Sequence, residues 1–226
     1  MRSFEKLPSQ FNNDSVKKYY DILCKKKASL VIKRIFDLTV ALIALVFLLI
    51  PIAVIALIIK LGSPGPVFFL QKRVTKYGRV FNIIKFRTMV VNAESLGSSV
   101  TTGNDSRVTP IGKTLRKFRL DELPQIFNVI SGSMSFVGTR PEVEKYVDRY
   151  SDEYYATLLL PAGVTSLTSI VYKDEDKLLS DSADPDEDYI NKILPDKMKY
   201  NLEYTKDFGF FYDIKIMLRT VKEVVS

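Results

Sequence analysis

Histidine is absent from the 226 residues, and Cys24 is the only cysteine. The first absence removes Ser-His-Asp and Cys-His catalysis, His-ligated zinc and imidazole acid–base chemistry. The second removes an intrachain disulfide and any CxxC redox pair. Carboxylates, lysines and arginines remain, a set suited to phosphoryl transfer with a hard metal ion, where positioning and electrostatics carry the reaction. Charge is also missing over one long stretch: LTVALIALVFLLIPIAVIALII, Leu38 to Ile59, holds no ionisable group. The chain has no internal repeat, no aromatics interleaved on a basic face and no nucleic-acid reader motif, so nucleic acid is not an expected partner.

As a helix the uncharged stretch is about 33 Å long against a bilayer core of roughly 30 Å, which attaches the chain to a membrane. Its flanks are basic on both sides, with Lys25, Lys26, Lys27, Lys33 and Arg34 before it and Lys60, Lys72, Arg73, Lys76 and Arg79 after it. Two basic flanks set no direction of crossing and suit a segment whose ends both stay on the cytoplasmic side. Pro51 lacks an N–H and clashes with the preceding turn, so it kinks or breaks a helix there. Either arm, about 20 Å or less, is too short to span alone. A re-entrant hairpin satisfies both features; a kinked spanning helix is the other reading, because such helices tolerate proline. Lys33 and Arg34 read as a basic collar at headgroup level, with Asp37 a boundary residue or the partner of Arg34. The segment starts too far in for a cleaved signal peptide, and no small-residue cleavage pattern follows it.

The net charge of +7 hides an asymmetry: residues 1–120 hold 21 Lys and Arg against 6 acids, residues 121–226 hold 12 against 20. The basic half is the membrane half, which points to anionic lipid heads or phosphate-bearing substrates. The expected organisation is a polar leader over 1–32, mobile or surface-lying over 1–28, a membrane segment over 33–60 and one modest domain over 61–226. The expected fold class is α+β and mostly helical. Val67–Gln71 and Val80–Ile84 flank Tyr77-Gly78-Arg79 as a β-hairpin. Residues 92–110 form a long loop, functional or disordered. A helical period starts at Ile111 and runs through Leu115 and Phe118; Asp121-Glu122-Leu123-Pro124-Gln125 opens a second helix reaching Ile130. Met134–Val137 reads as a strand and Val143–Tyr155 as helical. Asp174–Asp188 lacks the central glycine of a calcium loop and reads as solvated surface. The C-terminal helix carries Phe210, Phe211, Ile214, Met217, Leu218, Val221 and Val225 on one stripe, which packs on the domain or lies on the bilayer.

Between Lys85 and Pro141 the charges concentrate at element edges: Lys85, Arg87, Arg116, Asp121, Glu122 and Arg140. Acids at a helix start sit in the positive end of the dipole, which favours their ionised form and attracts phosphate. An ionised Asp there can be a nucleophile, or the two acids can hold Mg²⁺ with water and phosphates completing the shell. Acids in a first helical turn are also ordinary capping residues, and spacing alone leaves the readings open.

The runs KRIFD, SPGPVFFLQKRV, GRVFNIIKFRTM and TPIGKTLRKFRLDELPQIFNVISGSMSFVGTRP closely resemble the bacterial sugar transferase family, the monotopic polyprenol-phosphate phosphoglycosyl transferases. The resemblance covers the chain from about Lys33 to the C-terminus. It implies a small catalytic domain held on the cytoplasmic face of the bacterial inner membrane by a re-entrant helix broken at a proline, here Pro51, with amphipathic helices at the interface. It implies a UDP-sugar donor, a polyprenol (undecaprenyl) phosphate acceptor, release of UMP, a phosphosugar-aspartyl intermediate and a place at the first membrane step of glycan biosynthesis. Asp121 then matches the nucleophile and Glu122 its Mg²⁺-binding partner, which also takes a proton from the acceptor; Lys85, Arg116 and Arg140 match phosphate-holding positions, with Arg87 assigned to the same cluster. An oligomer is compatible with all of this. Three departures stand out: Ile50 before Pro51 where serine is common, Thr75 where glycine is usual, and Leu160-Pro161-Ala162-Gly163-Val164-Thr165-Ser166 without the family's arginine at Leu160, which bears on how nucleotide or sugar is held. The rival reading is a membrane-anchored binding or scaffold protein without turnover, against which retention of both acids argues.

Overall fold

The computed structural model describes residues 1–93, 105–172, 178, 182 and 184–225. The first helix, α1 (Asp14–Lys25), starts where the Asn13 side chain accepts the N–H of Val16 at 2.9 Å. Phe11, Val16 and Leu23 are fully buried in one core cluster, with Tyr19 and Tyr20 packed beside them. The expected mobile or surface-lying leader is therefore corrected: residues 16, 19, 20 and 23 follow the i, i+3, i+4, i+7 spacing of an inward helix face.

The uncharged stretch lies inside α2 (Lys27–Gly62), a helix of 36 residues, about 54 Å long at 1.5 Å per residue. Helical conformation continues on both sides of Pro51, which deprives only the Phe47 carbonyl of its partner. Among the described residues it is the one helix long and apolar enough to cross a membrane. Lys33, Asp37, Ala41, Ile52 and Ile59 are buried against the domain, whereas Val46, Phe47, Ile50 and Leu61 are exposed on the other side. The collar turns inward as well. Lys33 Nζ pairs with Asp213 at 2.6 Å and donates to the Val137 carbonyl at 2.8 Å. Arg34 donates to the carbonyls of Val129 and Ile130 at 2.7 and 2.9 Å. Asp37 accepts from Ser135 Oγ at 2.7 Å and from the Phe136 N–H at 3.3 Å. The expected headgroup collar and the Asp37–Arg34 pair are thus corrected: residues 33, 37 and 41 are one turn apart on the face that meets protein.

Strands β1 (Phe68–Thr75) and β2 (Arg79–Phe86) form the expected antiparallel hairpin, longer than the apolar runs that announced it. The turn needs two left-handed residues in succession, Tyr77 at φ 61° and Gly78 at φ 72°. Phe68 lies opposite Phe86 and Arg73 opposite Phe81, so alternation puts Gln71, Arg73, Ile83 and Lys85 on one face. The segment after β2 closes back on itself: Val90 N–H donates to Arg107 O and Thr109 N–H to Thr88 O, each at 2.9 Å, with most of the expected long loop lying outside the described residues.

Thr109 caps α3 (Pro110–Lys117), and α4 (Gln125–Ser131) follows a 3-10 turn. The expected strand, β3 (Met134–Val137), has a parallel partner in β4 (Ala162–Thr165). The stretch read as helical over Val143–Tyr155 resolves into α5 (Glu144–Val147) and a 3-10 run, Asp152–Leu159. After α6 (Leu167–Val171), a short helical run, Pro185–Asp188, and a π-helical turn, Tyr189–Ile193, lead into α7 (Leu194–Asp207) and α8 (Phe210–Val225). Of the acidic stretch Asp174–Asp188, positions 174–177, 179–181 and 183 lie outside the described residues. Its end is tied down rather than merely solvated: Asp186 accepts from Lys145 at 2.8 Å and from Tyr146 Oη at 2.5 Å. On α8 the buried residues are Asp213 and Ile216, whereas Phe211, Leu218 and Val221 point away from the domain, so the single stripe expected there is split between two faces.

Candidate active site

Asp121 and Glu122 sit in a 3-10 turn, Leu120–Glu122, upstream of α4 rather than in its first turn. Arg119 precedes them in the left-handed region at φ 55°, which breaks α3 from the turn. The helix-dipole argument for their ionisation is therefore weaker than the sequence suggested, and side-chain cations take that part. Glu122 Oε1 accepts from Lys85 Nζ and from Arg140 Nη2, both at 3.2 Å. Burial pushes the Glu122 carboxyl up, but Lys85 and Arg140 outweigh it and hold the group well below the usual carboxylate range. Asp121 goes the other way. Burial and the negative charge of Glu122 raise it, against Lys85, Arg116 and Arg119. Its Oδ1 is buried without a hydrogen-bond partner among the described residues. For Lys85, burial lowers the ammonium pKa despite the neighbouring Glu122.

Backbone interlocking sets these positions. Asn128 on α4 behaves like a strand neighbour of β2: its Oδ1 accepts the Ile84 N–H at 3.0 Å and its Nδ2 donates to Asn82 O at 2.9 Å. That fixes the acid-bearing turn against Lys85 one residue further on. Arg140 comes from the other side, just past β3, where the chain runs close to β4. A Cβ on Gly163 would stand 2.2 Å from the Gly138 nitrogen, so only glycine allows that approach. Thr139 O accepts the Gly163 N–H at 2.9 Å and Gly138 donates to Thr165 O at 3.1 Å.

Lys85, Arg116, Asp121, Glu122 and Arg140 are thus brought together, Arg116 Nε also donating to Thr88 Oγ1 at 2.9 Å. Arg87 is not: its guanidinium donates to Pro64 O at 2.5 Å and to Ser63 O and Oγ at 2.9 and 2.7 Å. Its assignment to the phosphate cluster is corrected: Arg87 lies one residue past the end of β2, and its guanidinium is taken up by the turn that follows α2. Leu160 is buried in the core. Arg73, counted from the sequence only in a basic flank, and Arg119 and Gln125 were not assigned to the site, yet Arg119 adjoins Asp121, and a cleft beside the acids is lined by Arg73, Ile83, Lys85, Gln125, Arg140, Pro141 and Gly163. For Arg73 the signal was present, since strand alternation places it on the face of Lys85.

Asp121 and Glu122 fit an oxygen-seeking cation, Asp121 offering an oxygen that has no hydrogen-bond partner among the described residues. Among the described residues no group of three or more His, Cys, Asp or Glu could close around a metal, so phosphates and water would have to complete its shell.

The family described as bacterial sugar transferase matches residues 28–226. The chain is 37% identical over 198 residues to the UDP-N-acetylgalactosamine-undecaprenyl-phosphate N-acetylgalactosaminephosphotransferase of Aeromonas hydrophila, across 86% of this chain and 44% of that protein. It is 34% identical over 206 residues to the UDP-glucose:undecaprenyl-phosphate glucose-1-phosphate transferase of Xanthomonas campestris pv. campestris, across 87% and 39%. It is 34% identical over 202 residues to the uncharacterized sugar transferase EpsL of Bacillus subtilis (strain 168), across 87% and 88%. The chain therefore spans less than half the length of the first two relatives and most of the third.

Proposed function

The chain belongs to the bacterial sugar transferase family, and from that premise we propose that it moves a sugar 1-phosphate from a UDP-sugar to undecaprenyl phosphate, releasing UMP. The observation that carries this reading is the Oδ1 of Asp121, buried without a hydrogen-bond partner among the described residues, near Lys85, Arg116 and Arg119 and beside a Glu122 that pairs with Lys85 and Arg140. In the first step Asp121 Oδ1 forms a bond to the sugar-bearing phosphorus as the bond from that phosphorus to the bridging oxygen breaks, and the electron pair leaves on UMP. In the second an oxygen of the lipid phosphate attacks the same phosphorus and returns the carboxylate. Lys85, Arg116 and Arg140 offset the negative charge in a loose transition state. Mg²⁺ held by Asp121, Glu122 and donor phosphates would supply further neutralisation of that charge.

Glu122 suits electrostatic and metal-holding work better than proton abstraction, because two cations hold its carboxyl low. The lipid phosphate, with a second pKa near 6, needs little help in ionising at neutral pH. We further place α2 in the cytoplasmic leaflet, bent at Pro51 with both ends on the cytoplasmic face; the two basic flanks and the proline support this. In a Cys24→Ser background, cysteines placed before Lys33 and after Lys60 should both react from the cytoplasmic side, and reaction from opposite sides would restore a spanning helix. For the chemistry, a radiolabelled UDP-sugar with Mg²⁺ should release UMP and leave label on the protein, and the label should vanish in Asp121→Asn. Product formation by Asp121→Asn at the wild-type rate would refute the nucleophile, and mass spectrometry of protein trapped with donor alone should show the phosphosugar adduct.

A further inference from the structure

Arg73 is a half-buried cation whose hydrogen-bond acceptors among the described residues are all neutral. Its Nε and Nη2 donate to Gln71 Oε1 at 3.0 and 2.7 Å, and its Nη1 donates to Pro141 O at 3.1 Å. Of the five N–H groups of a guanidinium, these bonds use three. The acid nearest in charge, Glu142, is engaged elsewhere: it pairs with Lys197 at 3.3 Å and accepts from Tyr189 Oη at 2.6 Å. Burial disfavours the Arg73 charge and Arg140 adds to that, with Glu142 opposing. A partly desolvated cation with no carboxylate bonded to it among the described residues gains when an anion arrives to meet it. The side chain lines the cleft it shares with Lys85 and Arg140.

Its place along the hairpin says which anion. Lys85 lies opposite Phe69, and Arg73 is four residues further along β1, roughly 13 Å from the Lys85 rung at strand spacing. That direction leads away from the turn at residues 63–66, where the chain leaves the apolar helix. A lipid-borne phosphate arrives from the helix side; a water-soluble nucleotide occupies the far end. Resting on the transfer reading above, we infer that Arg73 binds the donor phosphate that departs with the nucleotide. As the Asp121 oxygen bonds to the sugar-bearing phosphorus, the electron pair of the broken bond goes to the bridging oxygen of UMP, and the free N–H groups of Arg73 meet that charge.

The test uses the full chain in detergent micelles with Mg²⁺ and UMP as the binding probe, followed by donor and acceptor kinetics. Arg73→Met should bind UMP roughly 10- to 100-fold more weakly, the range expected for a lost charge-assisted hydrogen bond. It should raise KM for UDP-sugar and slow UMP release in the absence of acceptor, while KM for undecaprenyl phosphate stays at the wild-type value. Arg73→Lys should fall between the two. Unchanged UMP affinity in Arg73→Met would overturn the inference, as would equal losses for donor and acceptor in a variant with a wild-type melting temperature, which would assign Arg73 to shaping the Pro141 loop. If the wild type binds UMP through Arg73 yet turns over no UDP-sugar, the transfer reading fails and the phosphate anchor stands. If it binds no UMP at all, the anchor fails whatever the turnover.

Discussion

Thr75 shows what one side chain can carry. Its Oγ1 donates to Ser133 O at 2.8 Å and accepts the Ala162 N–H at 3.1 Å, so it fastens the hairpin to the β3–β4 pair. From the sequence it was a minor departure at a turn, and nothing in one chain announces a contact made across 87 positions. Thr75→Val keeps the shape but orphans a buried N–H and a carbonyl; it should cost about 1–3 kcal/mol in denaturant unfolding, with Thr75→Ser closer to wild type. Glu142 is a second case. Burial raises its carboxyl, but Lys197 and Arg73 outweigh burial and hold it below its ordinary 4.5. A depressed carboxylate stabilises the fold fully above its unfolded pKa and loses that contribution as pH falls through the folded value. Wild-type melting temperature should therefore drop below about pH 4.5 more steeply than that of Glu142→Gln. Lys197→Met, which strands the buried Glu142 charge, should cost about 3–5 kcal/mol at neutral pH.

At the level of elements, α4 is a bracket more than a source of dipole. Its Asn128 occupies the free edge of β2, and through that contact the acid-bearing turn meets Lys85. Asn128→Ala should leave the Ile84 N–H without its partner, cost about 1–3 kcal/mol and lower the turnover number more than donor affinity, read by unfolding and steady-state kinetics side by side. The hairpin, α3 and β3 were legible because each carries a strong local signal: a Tyr-Gly turn, a Thr-Pro start, and an apolar run before a glycine. β4 was not, since Ala162-Gly163-Val164-Thr165 has little strand character alone and is selected by the close glycine approach to Gly138. α1 was legible in retrospect: Tyr19 and Tyr20 complete the inward face begun by Val16 and Leu23, although five lysines in residues 17–27 mask that period.

For the whole molecule, the two charge halves do not form two bodies. Residues from the basic half end on partners from the acidic half: Lys33 on Asp213, Lys85 on Glu122, Tyr19 on Glu153. The proposed reacting pair, Asp121 and Glu122, stood out by residue type and pattern and took its roles from the family resemblance, whereas the lining of the cleft required knowing which strand face met which loop. Deleting residues 1–26 would strip Phe11, Val16 and Leu23 from the core. At about 2–5 kcal/mol for each large buried side chain lost, that approaches the 5–15 kcal/mol holding a typical domain together. The truncated chain should be cleaved rapidly in limited proteolysis under conditions that leave the full chain intact.

The way α2 is joined to the rest has a bearing on chimaeras. Because Lys33 bonds to α8 and β3, Arg34 to α4 and Asp37 to β3, and Ala41, Ile52 and Ile59 continue that contact along the helix, the apolar segment is a wall of the domain as well as its proposed mooring. Exchanging it for an unrelated segment of equal length and greasiness should keep any tethering and forfeit the proposed activity, because tether and engine would share one helix.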